Sequence, residues 1–99
     1  MNIKISYKHL ESTPAIDEMT RKKSEKLNKY FEGNLNLDWN FTVVKHEQIA
    51  HCHVTGAHIE FFAEASTDSI YSAIDEVVAH LERQIRKNKE LVRNHKVVA

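Results

Sequence analysis

Between residues 36 and 45 the chain alternates strictly, with Leu37, Trp39, Phe41 and Val43 on one side and Asn36, Asp38, Asn40 and Thr42 on the other. A period of two is that of a strand, whose successive side chains point to opposite faces; a helix would scatter these four apolar groups around its axis. A strand with tryptophan and phenylalanine on one side must lay that side on a core. The rest of the chain therefore has to supply an apolar surface to cover it.

Three further segments share that period. Residues 49–55 turn Ala50, Cys52 and Val54 inward, and residues 58–65 do the same with Ile59, Phe61 and Ala63. Between them Gly56-Ala57 suits a two-residue hairpin loop with glycine first. That register sets Val54 against Ile59, Cys52 against Phe61 and His53 against Glu60. At the start of the chain Ile3, Ile5 and Tyr7 alternate with Lys4, Ser6 and Lys8, giving a half-buried strand over residues 2–8.

Two segments carry the helical period instead. Thr13-Pro14 offers an N-cap with proline at the first helical position, and Asp17 and Glu18 follow near the positive end of the helix dipole. Ile16, Met19, the stem of Lys23, Leu27, Tyr30 and Phe31 then recur on one stripe as far as Gly33-Asn34, a C-cap signal, so this helix is expected from about residue 14 to about residue 32. The second helix, capped by Thr67 or Asp68, has the stripe Ile70, Ala73, Ile74, Val77, Val78, Leu81 and Ile85, extended weakly by Val92. Beyond Ile85 the stripe fades, and the last two to three turns should project past the core.

The order β-α-β-β-β-α, with one apolar face on every element, implies an α+β fold. It has a four-stranded mixed sheet, both helices packed on one face and the other face open to water. The first two strands, joined through a helix, should run parallel by a right-handed crossover if they are neighbours. With 99 residues and only two Gly and one Pro, the chain suits a single domain over residues 1–99, without repeat or linker. It contains no apolar run of 18 residues and no signal-peptide pattern after Met1, so a cytoplasmic protein without a membrane anchor is expected. Cys52, the single cysteine, has no internal disulfide partner.

The formal net charge is zero, yet eleven of the fourteen Lys and Arg residues fall in two windows, residues 21–29 and 83–96. The first holds Arg21, Lys22, Lys23, Lys26 and Lys29 against Glu25. The second holds Arg83, Arg86, Lys87, Lys89, Arg93 and Lys96 against Glu90. Complementing the helix dipole accounts for the sign of these charges near helix ends but not for their number. Two basic helix segments on one side of a sheet can follow the phosphates of a structured RNA, and arginine can also stack on bases.

Other chemistry finds little support. His51, His53 and His58 with Glu60 invite a metal reading, but side chains standing side by side on a pleated surface do not converge as zinc requires; a cross-strand His–Glu pair on a wet sheet fits better. The inward parity of Cys52 makes it a small core residue rather than a nucleophile. No glycine-rich phosphate loop, H-E-x-x-H, CxxC or G-x-S-x-G is present, and Asp75-Glu76 suits a solvated helix face, so neither an enzyme nor a cofactor is expected.

The run Lys23-x-x-Lys26-Leu27-x-x-Tyr30-Phe31, the segment Tyr71-x-Ala73-Ile74-Asp75 and the stretch Leu81-x-Arg83-Gln84-Ile85-x-Lys87-x-Lys89, in this order of elements, resemble the short ribosome hibernation promoting factors and the related ribosome-associated inhibitor. The resemblance covers nearly the whole chain. It implies a fold like that of double-stranded-RNA-binding domains. It also implies binding to the small ribosomal subunit and its ribosomal RNA near the decoding region and the A- and P-sites, which silences translation in starvation or stationary phase by occlusion. Lys23, Lys26, Arg83, Lys87 and Lys89 carry over as RNA contacts from the matching motifs; Lys22, Lys29, Arg86 and Arg93, with Arg21, join them on local charge. His80 and Asn88 stand where relatives often have Lys and His, Ser24 where they are commonly apolar, and Glu25, Glu76 and Glu82 dilute the basic helices. The C-terminal dimerisation domain of the long members is not expected, so the free protein should be monomeric. A reading of another class is a regulatory module whose basic helix engages an acidic protein partner such as a transcription factor.

Overall fold

The structure is a computed structural model that describes residues 1–30 and 34–98, with side chains as far as Asn88. Its elements follow the expected order: β1 (Asn2–Lys8), α1 (Pro14–Asn28), β2 (Asn36–Val44), β3 (Glu47–Gly56), β4 (Ile59–Thr67) and α2 (Ile70–Val98). The strands form one mixed sheet in the order β1-β2-β3-β4, with β1 parallel to β2 and the other pairs antiparallel.

The alternation of β2 does what its period demands. Leu37, Trp39 and Phe41 are buried to 1% exposure or less, and Trp39 and Phe41 stack with ring centroids 5.7 Å apart. Ala50, Cys52 and Val54 of β3 and Ala63 and Ala65 of β4 extend this floor. The whole expected stripe of α2, from Ile70 to Ile85, closes over it. Burying these side chains stabilises the fold by roughly 1.5–3 kcal/mol for each large one, which is why two helices lie on one face and none is needed on the other.

Four local expectations change. The β3–β4 loop is Ala57-His58 rather than Gly56-Ala57: Gly56 pairs with Ile59, Val54 with Phe61, Cys52 with Ala63 and His53 with Phe62. A shift of two residues keeps every side chain on its face, so hydrophobic patterning alone could not distinguish the two registers. His58 takes the left-handed conformation of the turn, with φ 63°.

Helix α1 ends at Asn28 instead of near residue 32, as Tyr30 N–H donates to the Leu27 carbonyl at 3.2 Å in a tightened i to i−3 turn. Phe31, Glu32 and Gly33 lie outside the described residues. The buried stripe of α1 is also more polar than its apolar spacing suggested, comprising Ile16, Thr20, Ser24 and Leu27. Thr20 and Ser24 each donate to the carbonyl one turn back, at 2.7 and 2.6 Å, and Ser24 Oγ accepts from Trp39 Nε1 at 3.0 Å.

The N-cap of α1 is as expected, Thr13 Oγ1 accepting from Ile16 N–H at 3.2 Å with Pro14 following. That of α2 differs. The helix begins at Ile70, whose N–H is taken by Gln48 Oε1 of β3 at 3.0 Å, while Thr67 Oγ1 accepts from Ser69 N–H. A side chain distant in sequence has replaced the local cap.

Helix α2 spans 29 residues, about 43 Å at 1.5 Å per residue, and the molecule is 51 Å long. Side chains from residue 89 onward, Val92 included, lie outside those described.

Candidate nucleic-acid interface

Helices α1 and α2 lie side by side, and two contacts fix their relative direction. Lys23 Nζ is 3.1 Å from Asp75 Oδ1; farther along, the Tyr30 hydroxyl donates to Glu82 Oε2 at 3.1 Å. Residue numbers rise together on both helices, so they run parallel. The basic C-terminal half of α1 therefore comes to rest beside the acidic-to-basic transition of α2, and the two charge windows become neighbours.

Tyr30 is the junction. Its hydroxyl also accepts from Arg86 Nε and Nη2 at 3.3 and 3.2 Å, and Arg86 Nη2 lies 3.5 Å from Glu82 Oε2. Arg86 Cζ sits 6.0 Å from the Tyr30 ring centroid and Lys29 Nζ 5.2 Å from it, within cation–π range. Donating to the Tyr30 hydroxyl, with Glu82 nearby, raises the pKa of the Arg86 guanidinium above its ordinary value. Two cations are thus held against one ring at the seam between the helices.

The residues anticipated from sequence divide into four groups. Lys22 and Lys26 on α1, Lys29 at its C-cap, and Arg83, Arg86 and Lys87 on α2 are exposed. Lys23 is not: its side chain is 29% exposed and spent on Asp75. Lys89 and Arg93 are on the helical backbone of α2, but their side chains lie outside the described residues. Arg21 pairs with Asp17 at 2.9 Å one turn back, an exposed pair of the kind worth a few tenths of a kcal/mol.

Arg83 folds along its own helix, Nε 3.4 Å from the Ala79 carbonyl and Nη2 3.1 Å from His80 Nδ1. Among the described residues Lys22, Lys26 and Lys87 have no ion-pair or hydrogen-bond partner. These lysines are available to an anion without breaking anything. Arg86 and Lys23 can serve it only by leaving an internal partner.

Sequence reasoning placed Tyr30 on the apolar stripe and missed its polar role. The signal was present in Glu82 and Arg86, an i, i+4 pair one flank away from the stripe of α2. Among the described residues the seam brings no nucleophile and acid–base pair together in a cleft. It offers fixed positive charge on a ridge of helix, which suits phosphate contacts along a folded polyanion.

Comparison with known proteins bears on the fold and the family. Residues 3–93 match the family described as Sigma 54 modulation protein / S30EA ribosomal protein. The chain is 30% identical over 98 residues to the ribosome hibernation promoting factor of Escherichia coli strain K12, covering 96% of this chain and all of that one. Among solved structures, the N-terminal domain of Thermus thermophilus Protein Y superposes with a TM-score of 0.83 at 30% identity, over 88% of this chain and 98% of that one. A ribosomal subunit interface protein from Coxiella burnetii does so with a TM-score of 0.81 at 25% identity, over 91% and 99%.

Proposed function

Since the chain belongs to the sigma 54 modulation protein / S30EA ribosomal protein family, we propose that it is a ribosome hibernation factor. It binds the small ribosomal subunit near the decoding region and the A- and P-sites, excludes messenger and transfer RNA, and silences translation in stationary phase or stress. The observation that carries this reading is the end-to-end match to a protein named for ribosome hibernation, in which 96% of this chain aligns with the whole of that one. The seam between the helices supports it, because a neutral chain has gathered unpaired lysines on the side of the molecule that α1 and α2 form.

On this reading the protein acts by occupying space and not by catalysis. It needs no cofactor, is monomeric when free, and works in the cytoplasm, where ribosomes are. Lys22, Lys26, Lys29 and Lys87 meet phosphate directly, with Arg83, Lys89 and Arg93 on the same helix as Lys87. Lys23 and Arg86 contribute mainly by holding α1 and α2 in register. Among the described residues no helix is long and apolar enough to cross a membrane.

The test is sedimentation with purified small subunits over a salt series. The wild-type protein should co-sediment and be released as salt rises, with log K falling by about 0.7–0.9 per phosphate neutralised for each decade of salt. The double variant Lys26→Glu/Lys87→Glu, one change on each helix, should bind roughly tenfold more weakly or worse. Unchanged binding would refute the proposed surface. Capture of partners from a lysate that survives nuclease digestion would instead favour an acidic protein such as a transcription factor.

A further inference from the structure

The side of the sheet turned away from the helices has its own organisation. At its β4 edge Phe62 stands 52% exposed, and its cross-strand partner His53 lies flat against it, ring centroids 4.2 Å apart and planes 2° from parallel. His51 tilts against the same ring at 6.1 Å. Because β4 is an edge strand, no further strand flanks the ring on its outer side. The edge is held in place: Gln84 of α2 donates to the Phe62 carbonyl at 2.7 Å. An aromatic ring fixed by its neighbours and half bare to water is a stacking platform.

The charges around it select what can stack there. Glu60 and Glu64 share the outer face with Phe62, two residues away on either side, about 7 Å along the strand. Glu60 Oε2 is 2.8 Å from His53 Nε2, yet its side chain remains 60% exposed; Glu64 has no ion-pair partner among the described residues. The lysines of this face, Lys4 and Lys8, stand on β1 at the opposite edge, three strand spacings or about 14 Å from β4, beyond the screening distance at physiological salt. The charge flanking Phe62 on this face of the sheet is therefore negative. It repels the phosphates that single-stranded RNA would bring to an aromatic platform. A planar cation fits instead, since guanidinium stacks on an aromatic face and takes carboxylates at its edge.

We propose that this face docks an arginine-bearing basic segment of a partner protein, with an arginine side chain stacked on Phe62 and its guanidinium held between Glu60 and Glu64. The surface is independent of the helical ridge and of the ribosome reading. The molecule would then present opposite chemistry on its two sides, a ridge for a polyanion and a platform for a polycation.

Backbone amide shifts of the labelled protein test this directly, with a synthetic peptide of alternating arginine and serine as probe, roughly eight residues long to match a strand. Shifts confined to β3 and β4 around His53, Phe62 and Glu64 are expected, with a lysine–serine peptide of equal length binding about threefold more weakly. Glu60→Gln/Glu64→Gln should weaken the arginine peptide about tenfold and Phe62→Ala about threefold, both variants still unfolding cooperatively, with the midpoint lowered by no more than about 8 °C for loss of the His53 contacts. The proposal fails if saturating arginine peptide leaves these amides unmoved, or if the variants bind it as the wild type does. It also fails if an oligouridylate shifts the same amides in place of the peptide, or if the shifts grow with protein concentration alone, marking the face as a contact between copies of this chain.

Discussion

Ser24 occupies the point where α1 rests on β2, and its hydroxyl has two duties: it donates to the Thr20 carbonyl and accepts the only N–H of the Trp39 indole, both within a fully buried site. Ser24→Ala would leave that indole donor dry and unpaired, a loss of about 1–3 kcal/mol. For a domain of this size the melting temperature should drop by several degrees, about 4–8 °C per kcal/mol. A drop of under a degree would show that the Trp39 bond is dispensable. Cys52 illustrates a different residue-scale effect. Burial in the sheet floor, aided by the negative charge of Asp38, pushes its thiol far above the usual range. The folded protein therefore holds the thiol proton more tightly than the unfolded chain does, so this contribution is intact below the ordinary thiol pKa of about 8.5 and is lost as pH rises beyond it. Cys52→Ala should flatten the alkaline limb of the stability profile between about pH 8.5 and 10.5 relative to wild type, and the native thiol should react with a disulfide reagent only as fast as the protein opens.

Each element shows how far periodicity reaches and where it stops. The strands and the face each presents were legible in Leu37-x-Trp39-x-Phe41 and its echoes, because burial on one side allows only one parity. The β3–β4 register was not, since His53 opposite Glu60 and His53 opposite Phe62 bury the same side chains; the choice is made by the turn, where His58 accepts a positive φ. The pairing of His53 with Glu60 survives as a diagonal contact at 2.8 Å. In α1 the polar stripe of Thr20 and Ser24 escaped a search for apolar spacing because its partners are carbonyls of its own helix and an indole 15 residues away. The start of α2 was misplaced for a similar reason, as its capping oxygen comes from Gln48, 22 residues earlier. Gln48→Ala should therefore cost about 1 kcal/mol, as loss of a local N-cap does, read as a lower denaturant midpoint at unchanged m-value. Thr67→Ala should cost less, its side chain bonding Ser69 and not the helical N–H of Ile70. The basic windows of the two helices could be read directly from sequence, but their convergence at Tyr30 required the parallel packing.

At the scale of the whole molecule, a chain of zero formal charge separates its charges by side. Unpaired lysines ride on the helices, while Glu60 and Glu64 lie on the opposite face of the sheet. Binding to RNA should therefore be salt-dependent although the isoelectric point is near 7.1. Lys22→Ala/Lys26→Ala/Lys29→Ala should reduce the slope of log K against log salt by about two to three, with stability changed by no more than about 0.5 kcal/mol. A reduced affinity at unchanged slope would mean that these lysines act through packing. The arrangement of the sheet bears on a different property. Its strands stand side by side in the same sequence in which the chain makes them, the two antiparallel pairs closing across two-residue loops and the parallel pair across a single helix. The two hairpins close over short loops, whereas the parallel pair joins Asn2 to Asn36 across α1, so most of the loop entropy is lost at that one step. The main refolding phase, followed by the fluorescence of Trp39, should be completed within about a second, faster than a ribosome takes to make the chain.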